Sequence, residues 1–455
     1  MPDDQNKPDT EDRKNEPEGA LLRLLDELAR ELHPHRPQTA RITIDSSIDN
    51  DIGLDSLARL ELLPRVEDLF DVTLPERAFS VAETPRDLLR AIQSARSGSR
   101  KTKTVKATPL DLGDAEEAPR TAATLLEALD WHVAHHPDRP HIRFYCDDGD
   151  GEVITYKDLK ENGARVAGGF LARGLKAGEP VALMLAPTKE YFYCFMGVLL
   201  CGGIPVPLYP PARPSQIEDH LRRHEAILGS CAAVALVTMP EVLRVAKLMS
   251  PRVESLEHVL TPEDLTDGAE LYERAGTGSD ETAFLQYTSG STGNPKGVIL
   301  THANLLANIR AIGDRINIDS TDVAVSWLPL YHDMGLIGGW FCSLYFASHF
   351  VIMSPLDFLA RPERWFTAIH RFKGTLSAAP NFGYEICLHR LRDERVKDLD
   401  LSSWRVACNG AEPVSPDTIE RFIERFAPLG FRRETMMPVY GLAAVSYTHL
   451  TLPTN

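Results

Sequence analysis

Apolar positions along this chain follow two rhythms. Between about Glu18 and Ala95 they recur at helical spacing, with Leu21, Leu22, Leu24, Leu25, Leu28 and Leu32 forming one stripe; such a stripe predicts a helix with one buried face. A loop rich in Asp, Ser and Thr follows. A second helix is predicted from Ser56, with Leu57, Leu60, Leu63, Val66 and Leu69 on its apolar face. The segment 84–95 opens with Thr84-Pro85, an N-cap followed by proline at the first helical position. From Thr121 the rhythm changes to short apolar runs separated by helical stretches. Strands are predicted at Val181–Met184, Ala233–Thr238, Ala283–Tyr287, Val298–Leu300, Val323–Leu328, Phe350–Ser354, Gly374–Ala378 and Arg405–Cys408. Helices are predicted at Tyr156–Arg173, Asn304–Ile312, Arg361–Phe372 and Pro416–Phe426. Such alternation indicates an α/β fold with mixed, largely parallel sheets. Gly197–Tyr209 is the most apolar region, but Gly202, Gly203, Pro205 and Pro207 interrupt it, so it reads as core strand and turn and not as a membrane span.

Composition narrows the picture. The 455 residues are 43 % apolar and 25 % charged, ordinary globular values that allow a sizeable core. A formal charge of −16 argues against nucleic acid as a partner, because phosphate binding needs basic surface. Residues 1–17 are polar, charged and proline-bearing; they read as a disordered tail without the apolar run of a signal peptide. Residues 97–120 are poor in large apolar side chains and swing from basic to acidic, the composition of a linker. The seven cysteines are scattered with no CxxC pair, which favours buried thiols and a cytoplasmic location over disulfides or zinc.

The first chemical motif is GLDSL at Gly53–Leu57. It sets Ser56 at a helix start, where unpaired N–H groups favour a phosphate. Serine at that place is also a common plain helix cap. The segment Glu16–Arg96 is acidic, with 16 Asp and Glu against 10 Arg and Lys. The whole segment resembles acyl carrier proteins. The resemblance implies a small all-α four-helix carrier domain over residues 18–96, with 4′-phosphopantetheine on Ser56. It also implies an acidic docking face of Asp51, Asp55, Glu61, Glu67 and Asp68. Pro64 departs from the pattern: inside a helix it removes a backbone hydrogen bond and clashes with the carbonyl of Leu60, costing about 3 kcal/mol.

The second motif, YTSGSTGNPKG at Tyr287–Gly297, packs three glycines, four Ser or Thr residues and Lys296 into eleven positions after an apolar run. Glycines let backbone N–H groups turn toward an anion, hydroxyls donate to phosphate oxygens, and lysine adds a point charge. It is not a Walker A loop, since Gly297 follows Lys296. A third motif, SWLPLYHDMGLIGG at Ser326–Gly339, sets His332 and Asp333 where an apolar run ends; such a pair is more often a helix cap than a catalytic group. AAPNFGYE at Ala378–Glu385 and ACNGAEPV at Ala407–Val414 follow strands, where open α/β sheets bind ligands.

These motifs resemble the adenylate-forming superfamily over about Thr121–Val445, and the wording around His332 resembles its fatty acyl-AMP ligases. The resemblance implies the N-terminal domain of an α/β ligase over residues 121–445. It implies ATP phosphate contacts from Thr288, Ser289, Gly290, Ser291, Thr292, Gly293 and Lys296. His332 would sit beside the reacting carboxylate, with Lys296 as the second catalytic group. The adenine pocket would be Asn409, Gly410, Ala411 and Glu412, with Tyr440 stacking on the base and Gly441 beside it. The small residues of Ala378–Glu385 would line an acyl tunnel. The family's Mg²⁺-binding Glu falls at Ala444, where it is absent. From there the sequence departs from the family, and residues 446–455 read as a non-native tail on a C-terminally truncated chain. The implied cofactors are ATP, Mg²⁺ and 4′-phosphopantetheine. The implied partners are a fatty acid, a phosphopantetheinyl transferase and a downstream acyl-accepting enzyme or fused domain. An acyl-CoA ligase, an amino-acid adenylation domain and a non-catalytic carrier with a dead ligase domain remain alternatives.

Overall fold

The computed structural model describes residues 17–32, 42–48, 51–54, 62–63, 65–67, 69–72, 74, 82–95, 110, 112, 118–147, 149–210, 217–248, 250–266, 276–288 and 296–441. Two compact units divide the chain: the first runs to Thr104 and includes Leu359–Arg361, and the second comprises Val105–Phe358 and the residues from Pro362.

The first unit holds helices Pro17–Leu32 and Pro85–Ala95, and the described positions between 62 and 70 are helical. Leu21, Leu25, Leu28, Ile48, Leu54, Leu63, Val66, Leu88 and Ile92 form its core. The Thr84 turn holds the last helix by its start: the Asp87 carboxylate accepts from the Thr84 N–H at 3.0 Å. Two expectations fail here. Leu69, assigned to the buried face, is 48 % exposed, and Leu62 and Phe70 are buried instead. Glu67, assigned to the acidic face, is buried and accepts a hydrogen bond from the Leu74 N–H at 2.8 Å. Ser56, Asp55, Glu61, Asp68, Leu57, Leu60 and Pro64 lie outside the described residues, as do residues 1–16, 97–109 and 446–455.

The second unit begins with β1 (Pro140–Phe144) and β2 (Val153–Thr155). Strands β3 (Pro180–Met184), β4 (Ile204–Pro207), β5 (Ala235–Thr238) and β6 (His258–Leu260) follow, then the hairpin β7 (Thr282–Thr288) and β8 (Lys296–Thr301). The remaining strands are β9 (Val323–Ser326), β10 (His349–Ile352), β11 (Leu376–Ala379), β12 (Val406–Asn409) and β13 (Met436–Pro438). They build a seven-stranded sheet in the order β13-β12-β11-β9-β10-β1-β2 and a four-stranded sheet in the order β4-β3-β5-β6. All pairs in these sheets are parallel except β1 with β2. Every residue of β5, β9 and β10 is buried, as expected of parallel strands covered on both faces.

Helix starts follow local capping. Thr301 and Asn304 form a reciprocal capping box, so that helix spans His302–Ile316, starting earlier than the periodicity predicts; Thr155 and Asp158 do the same for Tyr156–Ala172. The segment Gly197–Leu200, expected as strand and turn, instead ends the buried helix Lys189–Leu200, and the strand is confined to β4. A helix buried on nearly all sides carries no apolar stripe, so periodicity cannot separate it from a strand. Among the described residues no helix is long and apolar enough to cross a membrane.

Candidate functional site

Strands β7 and β8 pair antiparallel with Thr288 opposite Lys296 and Tyr287 opposite Gly297, which closes a neck under the loop 289–295. At Gly297 a Cβ would stand 2.9 Å from the Tyr287 ring, so only glycine lets that ring cross the neck. The Tyr287 hydroxyl donates to Ser230 Oγ at 3.1 Å. Ser289, Gly290, Ser291, Thr292 and Gly293 lie outside the described residues, as does the side chain of Thr288. Lys296 is exposed at the loop's exit.

The segment after β9 carries His332. Three contacts pin it: the Tyr191 hydroxyl donates to the Leu330 carbonyl at 2.9 Å, Gln286 Nε2 donates to the Tyr331 carbonyl at 2.6 Å, and the Met334 N–H donates to Asp333 Oδ1 at 2.7 Å. His332 Nδ1 lies 2.8 Å from Asp333 Oδ1, with the imidazole half exposed. The Asp333 hydrogen bond raises the His332 pKa against the opposing effect of burial. Burial likewise opposes the Asp333 charge, but the hydrogen bonds of His332 and Met334 more than offset it and hold that carboxyl below its ordinary value. With Nδ1 directed to Asp333, Nε2 is left for a ligand. Asp333 also caps the π-helical turn Met334–Phe341.

An apolar cavity opens beside this turn. Its volume is about 60 Å³, and Ala324, Leu328, Met334, Gly338, Ala378 and Cys408 are among its walls. Of the segment Ala378–Glu385, Ala378 lines this cavity; the rest forms the strand-to-helix turn and the helix Asn381–Arg390.

The third group sits at the ends of β11, β12 and β13. Asn409 is fully buried; its Nδ2 donates to Asn381 Oδ1 at 3.2 Å, and its Oδ1 has no partner among the described residues. A Cβ on Gly410 would lie 2.6 Å from the Val439 carbonyl oxygen, so glycine is needed where β13 exits past β12. Ala411 takes a left-handed backbone, φ +67°. Glu412 accepts from the Phe382 N–H at 2.6 Å, capping the first turn of Asn381–Arg390. Tyr440 is 77 % exposed, and Gly441 is exposed beside it. Ala444 lies outside the described residues.

The structure thus brings His332 beside the hairpin that carries Lys296, and groups Asn409–Glu412 at the end of β12. Sequence reasoning passed over Gln286 and Asn381. The signal for Gln286 was present, a glutamine inside the apolar run Ala283–Tyr287.

A family model described as AMP-binding enzyme matches residues 129–454. The chain belongs to the AMP-binding enzyme family. A second model, phosphopantetheine attachment site, matches residues 23–92, so an AMP-binding enzyme domain follows a carrier-type domain. Similar proteins include the medium-chain-fatty-acid–[acyl-carrier-protein] ligase JamA of Moorena producens, 36 % identical over 327 residues, covering 70 % of this chain and 55 % of the relative. The corresponding ligase TtuA of Teredinibacter turnerae is 34 % identical over 360 residues, covering 70 % and 56 %. Among solved AMP-binding structures, a fatty acid AMP ligase from Legionella pneumophila matches with a TM-score of 0.65 at 34 % identity, covering 72 % of this chain and 56 % of that one. The chain spans just over half the length of these relatives.

Proposed function

We propose that the protein activates a fatty acid with ATP to give acyl-AMP and passes the acyl group to a phosphopantetheine thiol. The observation that carries this reading is the apolar cavity whose wall includes Met334, two residues past His332. A carboxylate held at His332 would lay its alkyl tail toward that cavity, whose walls are mainly apolar. The names of the similar proteins support a fatty acid as the substrate.

In the first step a carboxylate oxygen attacks the α-phosphorus of ATP. The bond to the bridging oxygen breaks and pyrophosphate leaves. The loop 289–295 and Lys296 would hold the triphosphate in line. His332, its proton favoured by Asp333, would donate from Nε2 to the oxygens on which charge develops. Tyr440 offers an exposed face for adenine. The backbone of Gly410 and Ala411 would edge the base, since the Glu412 carboxylate is already engaged by a helix terminus. Asn409 Oδ1, buried and without a partner among the described residues, fits an acceptor for the base's amino group. In the second step a thiol attacks the acyl carbonyl, AMP departs and the thiol proton is lost. Ser56 would bear that thiol's arm; a linker of roughly 25 residues spans about 25–30 Å, and tethering raises the effective carrier concentration to about the mM range.

A Mg²⁺ carried by the nucleotide takes its ligands mainly from phosphates and water, with one or two protein carboxylates; the described residues hold no cluster of three or more His, Cys, Asp or Glu arranged for a metal, and the Ala444 side chain offers no ligand atom. The steps above concern the chain's own groups.

ATP–pyrophosphate exchange tests the reading, with fatty acids of graded length, amino acids and a 4-hydroxyphenylalkanoate as candidate acids. Exchange with fatty acids, followed by transfer to the phosphopantetheinylated carrier in preference to coenzyme A, is expected. Exchange with amino acids alone, or with no acid at all, overturns it.

A further inference from the structure

We infer that Gln286 is a positioning residue that locks the phosphate-loop hairpin to His332. The inference rests on the functional reading above. Gln286 lies on β7, two residues before Thr288, and is 2 % exposed. Its amide reaches 45 residues along the chain to the Tyr331 carbonyl at 2.6 Å. Tyr331 immediately precedes His332, so one short hydrogen bond joins the two motifs expected to meet at the reacting phosphate.

The orientation of the amide follows from its partner. A carbonyl only accepts, so the Gln286 atom facing Tyr331 must be the NH₂. This leaves Oε1 buried with no partner among the described residues. For stability alone an apolar side chain would serve better on that face of β7, where the neighbouring Phe284 is fully buried. The glutamine therefore acts through the bond it makes. The ring of Tyr331 is held as well, packed at 5.7 Å against Tyr209. The Tyr191 hydroxyl fixes Leu330 one residue earlier. Of these contacts, the Gln286 bond alone starts from the hairpin that bears Lys296.

Positioning of this kind predicts a split between rate and binding. In the full chain, Gln286→Met should lower kcat for ATP–pyrophosphate exchange about 10-fold or more, because misplacement of a reacting group is felt mainly in the transition state. KM for ATP should move less than about threefold. In a His332→Ala background the same substitution should cost nothing further, since the residue acts through His332. Gln286→Glu supplies a conservative rescue. Its carboxylate faces a carbonyl and repels it, but the protonated acid restores one donor, so its rate relative to wild type should rise as pH falls. Titration of the same proteins with acyl-sulfamoyl adenosine gives a readout that needs no turnover: Gln286→Met should weaken binding only where His332 is present. Additive effects of the two substitutions, or a loss of rate matched by a loss of folded protein, overturn the inference. A wild-type protein that exchanges with no acid overturns the functional reading instead, and the titration still decides the role of Gln286.

Discussion

Lowering the pH from about 7.5 to about 5 should destabilise the second unit through its buried histidines. His132 and His349 are fully buried. His132 exchanges a 2.8 Å hydrogen bond with His136 and meets the Tyr345 carbonyl at 3.2 Å. His349 donates from Nδ1 to the Pro140 carbonyl at 3.1 Å and receives the Arg143 guanidinium at 3.2 Å. Burial, with the neighbouring cationic groups adding to it, pushes His132 down to about 3 and His349 down to about 4. An unfolded histidine titrates near 6.5, so the unfolded chain binds more protons than the folded one across the window from 6.5 down to these values. The stabilisation is therefore complete above about 6.5 and is lost as pH falls. At about pH 5 each histidine costs roughly 1.5 units × 1.36 ≈ 2 kcal/mol, or about 4 kcal/mol for the pair. His141, also lowered by burial, adds in the same direction. His332 works the other way, since its raised pKa favours the folded state as pH falls. Lowered carboxylates such as Asp264 lose their stabilisation in a more acidic window, below their unfolded values. All five tryptophans, Trp131, Trp327, Trp340, Trp365 and Trp404, lie in the second unit, so denaturant unfolding followed by their fluorescence reports on this unit alone. His349→Gln should remove about 2 kcal/mol of the pH-dependent loss. An unfolding free energy that is flat or rising between these pH values would refute the argument.

Three further outcomes follow from the site. Tyr440→Ala should raise KM for ATP several-fold by removing a stacking face, while the unfolding free energy stays within about 0.5 kcal/mol because the ring is 77 % exposed; an unchanged KM removes Tyr440 from the site. Gly338→Trp should shift exchange toward shorter acids, since Gly338 borders the cavity and a Cβ there meets nothing within 4 Å; a chain-length profile identical to wild type would place the tail elsewhere. Glu412→Ala should cost about 1 kcal/mol in thermal unfolding by removing the cap on the Phe382 N–H; a change in KM for ATP without that loss would make Glu412 a ligand contact and not a cap.

Much of the architecture was legible because it is local. Short apolar runs such as Val181–Met184 and Val323–Leu328 fell where β3 and β9 form, the second strand ending at Ser326. Helix Pro416–Phe426 was placed at both ends, fixed by Ser415 and a first-turn proline. The glycine- and hydroxyl-rich stretch between Tyr287 and Gly297 was legible as a connection between two strands, and β7 and β8 pair on either side of it. Other features were decided by tertiary structure. Leu69 looked buried and Glu67 exposed, yet their places are reversed, because one turn of helix carries both and packing chooses which edge faces inward. The helix Lys189–Leu200 was hidden because uniform burial erases periodicity.

The sequence by itself determined which chemical groups are available and which segments coil or extend, since both depend on neighbours a few residues apart. The folded structure decided which of those groups meet. Gln286 reaches Tyr331 across 45 residues, and Glu412 is drawn to the Phe382 N–H 30 residues before it. Such pairings depend on strand order and on the demand of buried polar atoms for partners, and neither is written in local spacing.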